Sequence, residues 1–470
     1  MQQIEFSLFV SSLQLCTMLY AMNQNHCMGS RVHLMVDPGN NHENDTTPSD
    51  GGFISARPWV MDYVDVNGLS NRIGLPKDRF IEFIVKETVD NALDFMEKEA
   101  PRLIKKYGAF VPEVKIIVTK ESNYLRIRIL NSDCETSGFT EPFIRSIFNF
   151  HESTGSKRNQ FKVTKGWLGD ALKAICGIPY ALAHEVGNEN WNEPLVITSR
   201  NKQFRIRPVI DRAKKKLDAD VEIVELSDQA SSFTEFEIRY PVVEGEEEII
   251  TKLSNLFLRF ALINLHITFS IELPGMDILG IPAVQSVSEK WSNQISIWCY
   301  SEKHFEDLII NLQNEDMMAY SILKEFREGT NVSKEEVSIT IGELKYNKPE
   351  IKRLYSILRN QPFVTKRKTL DLPFQIKKKA RMEAFKKRIG QLGYEVIDMK
   401  YDVAQEYFIS ENKEIEYPFV FESAVIHTLN LKSDLLYIEG INSSIPYGHP
   451  FINREEPFTW QKREAGNLSI

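Results

Sequence analysis

The chain is predicted to be an α+β protein, and three observations predict it. Apolar residues recur at helical spacing over residues 80–99. Two alternating runs, 114–120 and 124–131, are joined by the short polar turn 121–123 and read as a hairpin of half-buried strands. A further alternating run at 233–243 precedes a mostly helical stretch over 303–392. At 470 residues the chain is long enough for about three domains, each with its own core. Its composition is 42% hydrophobic and 26% charged with 23 Gly and 20 Pro, which excludes wholesale disorder and collagen-like repeats.

In chain order, the first element is negative evidence. The apolar run Phe6 to Met22 is broken by Ser11, Ser12, Gln14 and Thr17, and no Lys or Arg precedes it. It falls short of the roughly 20 apolar residues a membrane span needs. Residues 36–58 are rich in Asn, Asp, Gly, Pro and Thr, which is linker composition. Residues 1–58 are therefore predicted to be a poorly ordered extension and linker. The five cysteines are scattered and lack a C-x-x-C pair, which reads as reduced thiols in a cytoplasmic protein with no structural metal; from the broken apolar run, no membrane partner is expected.

The helix at 80–99 places Glu87, Asn91 and Asp94 at i, i+4 and i+7, on one face, with Asp90 beside them. A carboxylate one turn from a carboxamide can do two jobs. Glu87 can orient and deprotonate a water, and the Asn91 side-chain oxygen can bind a Mg²⁺ that carries nucleotide phosphates. Taken alone, this helix reads more readily as an amphipathic surface helix. The second strand of the hairpin then runs into Ser132–Phe139, where a carboxylate at a strand end can accept from an exocyclic amine. Next come Ser153-Thr154-Gly155-Ser156-Lys157 and Lys165-Gly166-Trp167-Leu168-Gly169-Asp170-Ala171-Leu172-Lys173. Glycines just before an apolar helical run let backbone amides approach anionic phosphate. Thr234 opens the strand at 233–243, where a threonine alone is an ordinary strand former.

The ordered set Glu87-x-x-Asp90-Asn91-x-x-Asp94, the loop Asp133 to Gly138, Gly166-x-x-Gly169 and Thr234 resembles the four ATP-site boxes of the GHKL (Bergerat-fold) ATPases. Within that superfamily the chain is most similar to the B subunit of type IIB DNA topoisomerase (topoisomerase VI). Supporting pieces are Ser156-Lys157, the segment Leu256 to His266, and the segments Tyr417 to Glu422 and Gly440 to Pro446, which look like the opening of that family's transducer domain. The resemblance implies a Bergerat-type α/β sandwich over residues 59–295, a basic helix-two-turn-helix-like insert over 296–390 and an incomplete transducer-like domain over 391–470. It implies Glu87 as general base, Asn91 as Mg²⁺ ligand and Asp133 as reader of the adenine amine. Gly138, Lys157, Gly166, Trp167, Leu168, Gly169, Lys173 and Thr234 complete the implied ATP site. Two departures stand out. The D-x-G-x-G pattern is degenerate after Asp133, which makes Asn131 a rival reader, and Trp167 and Leu168 are bulky for a glycine box.

Net charge is −8, yet residues 345–388 alone sum to +12, leaving −20 for the rest. Such a block reads either as a site for a polyanion or as a solvated helix face. Its place in the insert favours DNA, with Lys366, Arg367, Lys368, Lys377, Lys378, Lys379 and Arg381 as the contacting residues. The resulting expectation is an ATP- and Mg²⁺-dependent clamp or gate subunit that dimerises on DNA, beside a separate topoisomerase A-like subunit carrying the cleavage tyrosine. The alternatives are a GHKL ATPase of chaperone or mismatch-repair type and a noncatalytic nucleotide-dependent scaffold.

Overall fold

The computed structural model describes residues 4–11, 59–122, 124–132, 139–151, 171–211, 214, 216–226, 233–242, 245–287, 296–310, 312, 315–361, 378–409, 416–428 and 437–438. Strand β1 (Ile4–Ser11) is followed by a 3₁₀ turn at Trp59–Val64 and helices α1 (Val66–Ile73) and α2 (Phe80–Tyr107). Helix α2 runs past the expected end at residue 99, through Pro101, to Gly108. That glycine adopts φ +81° and donates its N–H to Ile104 O. Proline disfavours helix at the residue before it, but the burial of Ala100 and Leu103 holds the last turns in place.

The expected hairpin is β2 (Glu113–Glu121) and β3 (Tyr124–Ser132), paired antiparallel from Val114↔Asn131 to Glu121↔Tyr124. After α3 (Glu141–Ile147) and α4 (Ala171–Glu185) come β4 (Leu195–Ser199), β5 (Lys202–Asp211), β6 (Lys216–Glu225) and β7 (Phe233–Pro241). Helix α5 (Glu246–Ile263) leads to β8 (Thr268–Glu272) and the short β9 (Leu279–Ile281). These strands form one sheet in the order β6-β5-β4-β7-β3-β2-β8-β9, antiparallel except for the β2–β8 pair.

The two faces of this sheet differ in chemistry. On one face Leu125, Ile127, Ile129, Leu195, Ile197, Phe236, Ile238 and Tyr240 join a core with α2, α4 and α5. On the other, Arg128 pairs with Glu235 through two hydrogen bonds, Arg126 with Glu237, and Arg239 with Glu193. Strict alternation thus sends apolar side chains under the helices and cross-strand ion pairs to the other side, giving a mixed α/β architecture with one large sheet.

A second core is built from Ile297 to Leu358 by α6 (Glu302–Ile310), α7 (Ala319–Leu323), α8 (Ile341–Lys345) and α9 (Lys348–Asn360). Ser333 and Glu336 form the reciprocal capping bonds of a helix start, Ser333 N to Glu336 Oε2 and Glu336 N to Ser333 Oγ, but no helix follows directly. The chain turns back there to pair Thr340 with Met318, and a complete capping box opens α8 at Thr340 and Glu343.

A third core joins residues on both sides of position 390. Helix α10 (Lys378–Gln391) packs Ala384, Phe385 and Ile389 against Leu262, Ile263 and Leu265 from the end of α5, and against Met399, Tyr401, Ala424 and Ile426. It therefore belongs with the second sheet, order β10-β11-β1-β12, made by β10 (Val396–Ile409), β11 (Glu416–Thr428), β1 and β12 (Tyr437–Ile438). Within the segment 1–58, read as a poorly ordered extension and linker, residues Ile4–Ser11 form a strand. Ile4, Phe6, Leu8 and Val10 give that segment a strand period, and it pairs antiparallel with β11. Residues 440–446 lie outside the described residues. No helix among the described residues is long and apolar enough to cross a membrane.

Candidate functional site

Helix α2 carries a buried charge cluster. Lys86 is 5% exposed and Asp90 1%, and Lys86 Nζ donates to Asp90 Oδ2 at 2.7 Å and to Glu87 Oε1 at 3.0 Å. Burial disfavours the Lys86 charge, but the carboxylates of Asp90 and Glu87 more than offset this and hold its pKa above the ordinary lysine range. Glu87 and Asn91 are half-buried, one turn apart as the spacing predicts, whereas Asp90 turns inward. Lys86 escaped the sequence reading because lysine beside glutamate is ordinary on a helix surface. Its burial is a tertiary fact.

Two further expected positions meet across the central strands. Thr234 at the start of β7 is the register partner of Asn131 at the end of β3. Along β4, Thr198 pairs with Glu235, so Ser199 comes level with Thr234. By alternation with Ile129, Phe236 and Ile197, all three residues belong to the face that α2 and α4 cover. Ser199 Oγ accepts from Phe139 N at 3.2 Å. The Phe139 ring meets Phe236 edge-on and stacks on Phe143, with centroids 5.8 Å apart in both pairs. Ser199, Phe139 and Phe143 carried no sequence signal beyond strand and helix periodicity.

Helix α4 begins at Ala171, just after the expected glycine box, and packs against α2 and β7. Lys173, in its first turn, is fully buried. Gly177 sits against the 3₁₀ turn, where a Cβ would come within 1.8 Å of Tyr63 O. At the far end of α2, Glu97 Oε1 shares a buried hydrogen bond of 2.8 Å with His266 Nε2. Asp133, Gly138, Lys157, Gly166, Trp167, Leu168 and Gly169 lie outside the described residues. So do Lys366, Arg367, Lys368 and Lys377.

The basic block does not form one cationic face among the described residues. Lys345 pairs with Glu315, Lys348 with Glu306, Lys352 with Glu302 and Arg353 with Glu350. Arg359 lies over the Trp298 ring at 3.6 Å. Arg381, expected to contact DNA, is fully buried and donates to Gln285 Oε1 at 2.7 Å and Ile263 O at 3.3 Å, so its guanidinium is committed inside the fold. Lys378 and Lys379 are exposed.

As for a metal, the Glu87 carboxylate and the Asn91 amide are hard oxygen donors of the kind Mg²⁺ takes together with substrate phosphates. Among the described residues no group of three or more His, Cys, Asp or Glu is placed to hold an ion by itself. The scan against protein-family models finds no match for this chain, and no curated protein is significantly similar to it.

Proposed function

We propose that the chain binds and hydrolyses ATP with Mg²⁺ in a Bergerat-type site, and that it serves as the nucleotide-gated DNA clamp or gate subunit that its resemblance to the topoisomerase VI B subunit implies. The observation that carries the nucleotide part is the meeting of Asn131 and Thr234, about a hundred positions apart, on the sheet face covered by the helix of Glu87 and Asn91 and by α4. Residues chosen from four separate stretches of sequence thus belong to elements that pack on one another.

In this reading Glu87 takes the proton from the attacking water, with Lys86 orienting its carboxylate. Asn91 would hold the ion, and the amides at the start of α4 would face phosphate. Bound Mg²⁺ supplies charge neutralisation on the phosphates. Asn131 and Thr234 would contact the base. ATP-driven dimerisation on DNA, and a cleavage-tyrosine partner, follow from the resemblance.

A second reading, a noncatalytic nucleotide-dependent scaffold, is favoured by the engagement of the Glu87 carboxylate with Lys86. Steady-state hydrolysis and equilibrium binding of ATP, measured on wild type and Glu87→Ala, separate the two. The enzyme reading expects both to bind, with turnover in the variant reduced by at least about a hundredfold. If both bind and wild type turns over no faster than the variant, the scaffold reading stands. If neither binds, both readings fall.

A further inference from the structure

The large sheet ends in two edges of opposite character. An edge strand leaves a row of backbone N–H and C=O groups unpaired, and proteins blunt such rows with charge. At one edge β6 does so: half of its ten residues are charged, namely Lys216, Asp218, Asp220, Glu222 and Glu225. These charges are held within the sheet by the pairs Lys216–Asp218, Arg207–Asp220 and Lys202–Glu225.

At the other edge β9 lacks that protection. Among the described residues it pairs only with β8, Leu279 opposite Ile271 and Ile281 opposite Phe269. Ile281 is enclosed and its carbonyl accepts from Arg388 Nη1 at 3.3 Å, so α10 closes that end of the edge. Toward the β8–β9 turn the cover stops. Met276 is 55% exposed, Ile278 61% and Leu279 41%, three large apolar side chains gathered at the tip. A Cβ built on Gly280 would meet nothing within 4 Å, so the sheet beside it is uncovered.

The chemistry of this edge specifies its occupant. Unpaired strand backbone is satisfied by another extended backbone, and its exposed apolar side chains by apolar residues at alternate positions of the added strand. Residues 268–287 carry the acidic Glu272 and Asp277 and no lysine or arginine, so the complement is basic. A second copy of the chain fits poorly, because it would set one acidic tip against another. The patch is also small: three half-exposed side chains offer at most a few hundred Å², whereas a stable dimer buries about 800 Å² per partner.

We propose that β9 is the docking edge for an extended segment of a partner polypeptide, apolar at alternate positions and ending in lysine or arginine, which adds to the large sheet as a further strand beside Ile278 and Leu279. No nucleotide takes part in this contact, so its test stands apart from that of the ATPase reading.

The test is fluorescence anisotropy of the full chain, without nucleotide, against a short labelled peptide in which valine and threonine alternate between terminal lysines. Two further peptides carry terminal glutamates or are N-methylated at every internal residue. Wild type is expected to bind the lysine peptide and to prefer it over the glutamate peptide by about fivefold. Loss of the peptide's N–H donors should cost at least about tenfold in affinity. Ile278→Lys, which puts a blunting charge at an exposed position, should weaken the lysine peptide by at least about tenfold. Asp277→Lys should still bind peptide but lose the preference for lysine ends. The inference is overturned if the lysine peptide does not bind, if the N-methylated peptide binds equally well, or if Ile278→Lys binds as wild type does. It is overturned too if sedimentation without nucleotide shows wild type dimeric and Ile278→Lys monomeric, which would make a second copy the occupant.

Discussion

At the scale of single residues, burial decides what a charge is for. Lys86 and Asp90 are both nearly inaccessible, so each depends on the other for compensation. Replacing Lys86 with Met would leave the Asp90 carboxylate buried without its ammonium, and should cost about 3–5 kcal/mol in chemical denaturation. The pH dependence has a definite sign. A lysine whose folded pKa is raised contributes its full stabilisation below the unfolded value, about 10.4, and loses it only as pH rises past the folded one. The stability gap between wild type and Lys86→Met should therefore stay constant from about pH 6 to 9. A gap that narrows across that window would mean that Lys86 is already losing its proton there. Cys176 makes the same point without charge: burial pushes its thiol up to about 12, which suits a packing residue and not a nucleophile.

At the scale of elements, packing outweighs propensity. In the middle of α4 a glycine costs helix stability, so propensity alone predicts that Gly177→Ala stabilises by about 1 kcal/mol. The added Cβ would, however, meet Tyr63 O at 1.8 Å and Tyr63 C at 2.9 Å, both main-chain atoms that cannot swing aside. The net expectation is destabilisation by about 3 kcal/mol, read as a lowered denaturation midpoint, and a raised midpoint would show that α4 is not seated on the 3₁₀ turn as described. Helix α2 and the turn at 333–336 are the mirror cases. One continues through a proline because Ala100 and Leu103 are buried; the other completes its capping bonds yet propagates no helix, because the following residues pair with Met318.

At the scale of the whole molecule, the sum of charges and their arrangement part company. Among the described residues of this +12 block, Lys345, Lys348, Lys352 and Arg353 are answered by Glu315, Glu306, Glu302 and Glu350, and two arginines are drawn inside. Arg381 and Arg388 are wholly enclosed. Arg388 donates to Ile281 O, Leu265 O and Ile267 O, and burial followed by the like charge of Arg381 depresses its pKa to about 10. These arginines tie α10 to the strand ends of the large sheet, next to the His266–Glu97 contact with α2. Within the described residues the proposed DNA contact is thereby narrowed to Lys378 and Lys379 at the start of α10. Changing both to Glu should weaken duplex binding and reduce the slope of log affinity against log salt by about two. Unchanged affinity and slope would sink the DNA assignment of that helix.

The helix at 80–99, the hairpin, the strand at 233–243 and the Glu87–Asn91 spacing were legible in the sequence, because helix and strand periods are local and a side chain's face follows from counting along the chain. The sequence likewise marked Thr234 at the start of an alternating run, and the resemblance, through its degenerate D-x-G-x-G pattern, made Asn131 a rival reader. Only the tertiary structure decided that these two are register partners, that Ser199 lies level with them, that Lys86 is buried between two carboxylates, and that Arg381 serves the fold. Each of those outcomes depends on which distant strand or helix comes to lie alongside. Register, burial and charge compensation are properties of pairs of segments, and no single stretch of sequence contains both members of the pair.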